Sequence, residues 1–228
     1  MPKISDSLLL LAFPFFFALL ALSFAVPRLA SSFLLLPSQE TVRAIGKGKA
    51  VSDGAITRAV DAHLDAAAWH AAPEPLSRLG GLRLVQAKNA GYATSEGRRL
   101  LEESLAFERQ SLSLSPVQPY GWVQLLQGRL ALEGPSAALS PLFTMAVRAG
   151  PTEPRLVMHR LAVGLSFWTF LDAQALGLLK EQALIAARYF PTRLAVMTKK
   201  RYALKIIRDA LAGEPALRSR FDRIYSAL

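Results

Sequence analysis

Two prolines divide the middle of the chain into segments of helical length. Pro116 follows the segment Ser111-Leu-Ser-Leu-Ser, and Pro151 follows Gly150, 35 residues after the first proline. Proline ends a helix because it lacks a backbone N–H and its ring clashes with the preceding turn. Apolar residues recur between such breaks at helical spacing, and no segment alternates as a strand does. The sequence therefore predicts an all-α protein.

The apolar periodicity predicts pairs of helices that stack on one another. A two-helix unit is too small to bury its own apolar face, so neighbouring units must cover it. Trp122 and Trp168 are expected to fill the space between units. The predicted helical segments are 56–71, 76–88, 100–114, 120–132, 137–149, 155–170, 173–190 and 192–211, with a short last helix after Pro215.

The N-terminal region carries a long uncharged segment. Leu8 to Val26 is almost wholly apolar, and about 20 such residues span the hydrocarbon layer of a bilayer. A cleaved signal peptide is the alternative, since Ser23 and Ala25 are small. The segment is longer than a usual signal and its leading charge is weak, which favours an anchor. The predicted organisation is a membrane anchor or uncleaved signal over 1–27, a connecting segment over 28–52 and a helical domain over 53–228.

Positive charge is concentrated at the C-terminal end. The formal net charge is +10, and residues 180–228 contribute +7 of it, from eleven Lys and Arg against four Asp and Glu. Arg201, Lys205 and Arg208 are spaced i, i+4, i+7 on the predicted helix 192–211 and are a candidate anionic-lipid surface, with an ordinary solvated basic face as the alternative. Nucleic acid is not an expected partner, because aromatic residues do not interleave with the cations.

The sequence shows no constellation that would perform catalysis. It has no cysteine and only three histidines. His63 and His70 are two helical turns, about 10.5 Å, apart, which is too far for one metal ion, and a solvated polar face is expected for both. Phosphate-loop, dinucleotide, zinc-protease and nucleophile-elbow motifs are absent from the sequence. We therefore expect a protein with no enzyme activity, cofactor or metal.

The order of turn and packing residues along the chain resembles that of two groups of helical proteins. The 35-residue spacing is close to the period of about 34 in tetratricopeptide (TPR) arrays, and Trp122, Leu125 and Ala138 fit that repeat, whereas Leu126 and Arg129 depart from it. The order Ser111–Pro116, Trp122, Gly150-Pro151-x-x-Pro154 and Gly164-x-x-x-Trp168, behind one apolar helix, resembles the VpsP-type proteins of exopolysaccharide biosynthesis. This second resemblance covers about residues 100–170 and the anchor.

These resemblances imply a TPR-like stack of antiparallel helical hairpins that holds protein components of a polysaccharide assembly at the bacterial inner membrane. The soluble domain is expected on the periplasmic side. Two alternatives remain open, which are a glycan- or lipid-acting enzyme with unrecognised residues and a structural subunit of another membrane complex. A partner-binding groove is expected along the first helix of each hairpin, with five candidate residues: Tyr120, Gln124, Gln127, Arg155 and His159.

Overall fold

A computed structural model describes residues 4–228, with side chains from Phe13 onward. Met1 to Lys3 of the predicted anchor lie outside the described residues. The described residues are mainly helical and contain no strand, which confirms the all-α prediction. The helices are α1 (Ile4–Leu35), α2 (Gln39–Gly46), α3 (Asp53–Trp69), α4 (Pro73–Ala90), α5 (Ser95–Leu114), α6 (Pro119–Glu133), α7 (Ser140–Arg148), α8 (Pro154–Gly164), α9 (Ala173–Tyr189), α10 (Pro191–Lys200), α11 (Leu204–Ala210) and α12 (Pro215–Ser226).

Polar caps and prolines set where these helices begin. Ser52, Thr94 and Asp172 each accept a hydrogen bond from the backbone N–H three residues later, at 3.4, 2.9 and 2.8 Å. Such a side chain satisfies an N–H that has no partner within the helix. Proline suits the first turn because its missing N–H would be unpaired there anyway. Five helices begin with it, at Pro73, Pro119, Pro154, Pro191 and Pro215.

The first helix is longer than the predicted anchor and passes directly into the domain. α1 continues through Pro14 and Pro27 to Leu35. Its end packs against α3, and Ser31 is buried there. Val42 and Ile45 of α2 pack against a core cluster formed by α3 and α4. Much of the predicted connecting segment 28–52 is therefore helical, and parts of it pack against the domain.

The remaining helices pack in a regular order. α4 contacts α5 most extensively, α5 contacts α6, and α6 contacts α7. α8 packs on α9, which also contacts α7, α10, α11 and α12. A second series of contacts joins α4 to α6, α6 to α8 and α8 to α10. The largest core cluster spans α6 to α12, where the rings of Phe143 and Phe167 meet edge to face at 6.3 Å.

Three predicted details differ from the structure. The predicted helix 192–211 is broken after Lys200, because Tyr202 adopts a left-handed backbone conformation (φ 53°) before α11 begins. The predicted helix 155–170 ends at Gly164, followed by a short 3₁₀ turn over Trp168–Phe170. Trp122 and Trp168 do pack against the main core, but both remain partly exposed.

Candidate binding surfaces

The structure brings four of the five predicted groove residues to one surface of α6 and α8. Gln127 and His159 form a hydrogen bond of 3.0 Å between His159 Nε2 and Gln127 Oε1. The Tyr120 hydroxyl donates to Glu153 Oε1 at 3.4 Å, and Arg155 is exposed one turn before His159. These residues can present hydrogen-bonding groups and a cation to a partner.

Gln124 lies on the same helix face but is directed towards α4. A Cβ atom at Gly81 would lie 2.7 Å from Gln124 Oε1, so the amide lies directly against the backbone of α4. Its side chain is only partly exposed, and Oε1 has no hydrogen-bond partner among the described residues. Gln124 therefore contributes to helix packing more than to an open surface.

Next to this surface, Arg160 of α8 is buried, and its side chain reaches the turn between α7 and α8. Its Nη1 donates to the carbonyl oxygen of Gly150 at 2.7 Å. Burial lowers the pKa of Arg160 to about 10, opposed by the nearby Glu153 and Tyr120. The pKa of His159 is also lowered, first by desolvation and then by Arg160, although part of its side chain is exposed. Arg160 fixes the turn, and His159 is favoured in its neutral form.

A groove between α8 and α10, here called the α8–α10 groove, adjoins the predicted surface. Its volume is about 560 Å³, and it is lined by Met158, Ala162, Thr192, Arg193, Val196, Met197, Lys200 and Arg201. No acidic residue is among these eight lining residues of the described structure. The groove combines an apolar floor with a rim of three cations, so it suits an amphipathic, negatively charged ligand.

The sequence carries a signature of this groove. Arg193, Val196, Met197 and Lys200 are spaced i, i+3, i+4, i+7, which places them on one face of α10. Arg155, Met158, His159 and Ala162 have the same spacing on α8. Each pattern is visible in the sequence, but the contact between the two helices becomes known only from the fold.

The predicted anionic-lipid surface is not one helix face. Arg201 follows the end of α10, whereas Lys205 and Arg208 lie on α11, beyond the break at Tyr202. Arg208 Nε also donates to Asp222 Oδ1 at 2.9 Å, so part of its charge is neutralised. Arg201 instead belongs to the rim of the α8–α10 groove.

The buried acid Glu108 lies between α4, α5 and α6. Its side chain is inaccessible to solvent, and Oε2 accepts a hydrogen bond from the Ser77 hydroxyl at 3.0 Å. Desolvation raises the pKa of Glu108 to about 9, although the Ser77 hydrogen bond opposes this. Glu108 is therefore protonated near neutral pH and acts as a polar contact inside the helix packing.

His63 does not lie on a solvated face as expected. It is buried, and its Nδ1 lies 2.8 Å from the carbonyl oxygen of Ala59. Burial, with a smaller contribution from Arg78, lowers the pKa of His63. His70 follows α3 as its C-cap and is partly exposed. Within the described residues, no three His, Cys, Asp or Glu side chains are grouped so that they could hold a metal ion.

In the described part of the chain, one helical stretch is long and apolar enough to cross a membrane by length and composition. It covers Phe13–Gly46, and its most apolar 18 residues have a mean hydropathy of 1.8 and are 6% buried. A signal sequence near an N-terminus has the same properties. Comparison with known proteins finds no matching family model, no matching curated protein and no matching solved structure.

Proposed function

We propose that this protein is a non-enzymatic, membrane-anchored helical adaptor that holds protein components of a surface-polysaccharide assembly at the bacterial inner membrane. The observation that carries the proposal is the direct passage from an exposed apolar helix into a packed helical domain. α1 has 32 residues, and large side chains such as Phe16 and Phe24 are 62% and 61% exposed. A protein exposes such a surface where another apolar phase or partner covers it.

The attachment of α1 supports an anchor that also orients the domain. The end of α1 packs on α3, and α2 packs on the cluster formed by α3 and α4. Because these contacts join the anchor to the domain without a free linker, the domain would be held in a defined position at the membrane. We place the domain on the periplasmic side, as long domains are translocated largely regardless of their charge.

A continuous series of helix contacts supports the adaptor role. Contacts join α4 to α6, α6 to α8 and α8 to α10, as they join the first helices of successive hairpins in a TPR-like stack. Such a series presents a continuous surface that suits recognition of another protein. The surface formed by Tyr120, Gln127, Arg155 and His159 and the α8–α10 groove both lie along it.

The link to polysaccharide assembly rests on the resemblance of residues 100–170 to the VpsP-type proteins. Its residues are mainly turn and packing residues, such as Pro116, Trp122 and Gly164. Close packing explains the glycine at position 164, because a Cβ atom there would lie 2.7 Å from atoms of both Phe143 and Leu179. The resemblance therefore supports a shared helical scaffold, and the polysaccharide assignment depends on identifying the partners.

The proposal is tested by recovering the tagged full-length chain from membranes with a mild detergent. We expect polysaccharide-synthesis proteins to be recovered, and their loss from the surface variant Arg155→Glu/His159→Ala. The matched control is Arg148→Glu, which makes the same change in charge at an exposed residue of α7. Recovery of no polysaccharide-synthesis protein would contradict the proposal. The intact mass of the purified chain distinguishes an anchor from a cleaved signal.

A further inference from the structure

The α8–α10 groove has the composition of a surface that binds an amphipathic segment. Met158, Ala162, Val196 and Met197 supply apolar atoms. Methionine side chains adapt to irregular partners because they are unbranched and flexible. The volume of about 560 Å³ lies within the range of volumes of ligand-binding pockets in proteins. The floor therefore suits a ridge of apolar side chains more than a single rigid group.

The cations of the rim define the charge of the occupant. Arg193 and Lys200 are separated by two turns of α10, and Arg201 follows the end of that helix. All three are exposed and line the groove. Opposite charge at such positions increases the association rate and selects among partners. The occupant should carry carboxylates on both sides of its apolar ridge.

The form of the groove favours a helix as the occupant. On α10 the lining runs from Thr192 to Lys200, a rise of about 12 Å, which matches roughly two helical turns. An amphipathic helix binds by placing its apolar face into such a groove. Apolar residues spaced i, i+3, i+4 and i+7 on the partner would reach the floor together.

Two other occupants fit the structure less well. A second copy of this chain would bring together two molecules with a net charge of +10 each, and their basic C-terminal ends would repel. A membrane lipid would have to reach a groove that several helices separate from the anchor. α1 contacts α3, and α4, α6 and α8 lie between α3 and α10 in the sequence of helix contacts.

We propose that the α8–α10 groove binds an acidic amphipathic helix of a partner protein. This inference rests on the proposed adaptor function and names the chemistry of the partner segment. The apolar face of that helix packs on Met158 and Met197, and its carboxylates pair with Arg193, Lys200 and Arg201.

The test places a photo-cross-linking amino acid at Ala162 in the full-length, membrane-bound chain. Lys200 at the rim serves as a second position in case the larger side chain at 162 disturbs folding. Gly177 on α9 is the control position, since no atom lies within 4 Å of a Cβ built there. Mass spectrometry then identifies the cross-linked segment.

The expected product from positions 162 and 200 is a segment of another protein with net negative charge and apolar residues at helical spacing. Position 177 should not yield that segment. A lipid adduct, a second copy of this chain, a neutral or basic segment, or no adduct from either groove position would overturn the proposal.

Charge reversal tests the role of the rim. A synthetic peptide with the identified sequence should bind Arg193→Glu/Lys200→Glu/Arg201→Glu roughly 10-fold or more weakly than it binds the natural chain. The control, Arg109→Glu/Arg148→Glu/Arg220→Glu, makes the same change in charge at exposed residues of other helices and should retain affinity. Equal weakening in both variants would show attraction to net charge alone and would overturn the assignment to the groove.

The two proposals fail in different ways. If tagged protein recovers polysaccharide-synthesis proteins while positions 162 and 200 give no adduct, the groove assignment is wrong and the adaptor function stands. If an acidic helix is cross-linked at the groove but belongs to a protein unrelated to polysaccharide, the groove assignment stands and the polysaccharide link is wrong.

Discussion

The carboxyl group of Glu108 occupies the space that a side chain at Gly80 would fill. A Cβ atom at Gly80 would lie 2.9 Å from Glu108 Cδ and 3.0 Å from Cγ. On the other side, a Cβ at Gly121 would lie 3.3 Å from Glu108 Oε2. Three helices therefore approach closely around one buried acid, and two glycines make that approach possible.

Gly80→Ala should destabilise the protein because the buried Glu108 side chain has no space into which it can move. Overpacking of this kind costs about 1–3 kcal/mol. Gly177→Ala is the matched control, since nothing lies within 4 Å of its Cβ, and alanine in a helix is favoured over glycine by up to about 1 kcal/mol. Chemical denaturation of the full chain in detergent, followed by circular dichroism, measures both effects. Equal stability of the two variants would contradict the close contact.

Replacing Glu108 should change the pH dependence of stability. The folded-state pKa is raised from 4.5 to about 9, so the folded chain retains a proton that the unfolded chain releases. The contribution of Glu108 is fully present below pH about 4.5 and is lost as the pH rises towards about 9. In that window, the unfolding free energy of the natural chain should fall relative to Glu108→Gln by about 1.4 kcal/mol per pH unit. Denaturation midpoints of both proteins across the window provide the measurement, and a constant difference would contradict the raised pKa.

Glu108 also shows what could and could not be predicted from the sequence. Its position between Ser104, Leu105, Ser111 and Leu112 places it in the apolar stripe of α5, so burial follows from helical spacing. Gly80 lies on α4, and its contact with Glu108 depends on the register in which the two helices pack. Spacing along one helix predicts which residues face inward, but it does not predict which residues of another helix they meet.

The same limit explains the candidate surfaces. The helices and most of their boundaries follow from caps, prolines and apolar spacing. Gln127 and His159, two of the groove candidates, form a hydrogen bond in the structure. The α8–α10 groove depends on a contact between segments separated by all of α9. The break at Tyr202 could not be predicted from the sequence either, because tyrosine lacks the local signal that glycine or proline gives.

His63 should give the opposite pH dependence to Glu108. Burial lowers its folded-state pKa below 6.5, so the unfolded chain binds a proton that the folded chain does not. The contribution of neutral His63 is present above pH about 6.5 and is lost as the pH falls. The natural chain should therefore lose stability relative to His63→Phe between pH 6.5 and more acidic values. Unfolding midpoints at several pH values test this.

The control for both titrations is the double variant His63→Phe/Glu108→Gln. It should lack both contributions, so its difference in stability from each single variant should change with pH only in the window of the group that the single variant retains. A difference that also changes with pH outside those windows would show that another group is responsible.

Tyr202→Gly should increase stability although it removes an aromatic side chain. Tyr202 is 96% exposed, so little packing is lost, and its φ of 53° costs a non-glycine residue roughly 1–2 kcal/mol. Glycine loses part of this gain through its more flexible unfolded state, so a net increase of up to about 1 kcal/mol is expected. Glu181→Gly is the control, because Glu181 is also exposed but lies in the middle of α9, where glycine should destabilise. Thermal unfolding of the two variants should shift in opposite directions, and a loss of stability in both would contradict the prediction.

The proposed anchor predicts that the effect of charge depends on its position in α1. Phe16→Arg/Phe17→Arg/Leu20→Arg places three charges near the middle of the apolar segment, where each costs about 2.5–3.5 kcal/mol. Val26→Arg/Leu29→Arg/Phe33→Arg places the same charges at the other end of α1, where long side chains reach the interface.

The first triple variant should be released from membranes by an alkaline carbonate wash, whereas the second should be retained. Immunoblotting of the membrane and soluble fractions measures the outcome. Retention of both variants would contradict a membrane span centred on Phe17. Release of both would place the span nearer to Leu35, because charges near the end of the predicted segment would then lie within the bilayer.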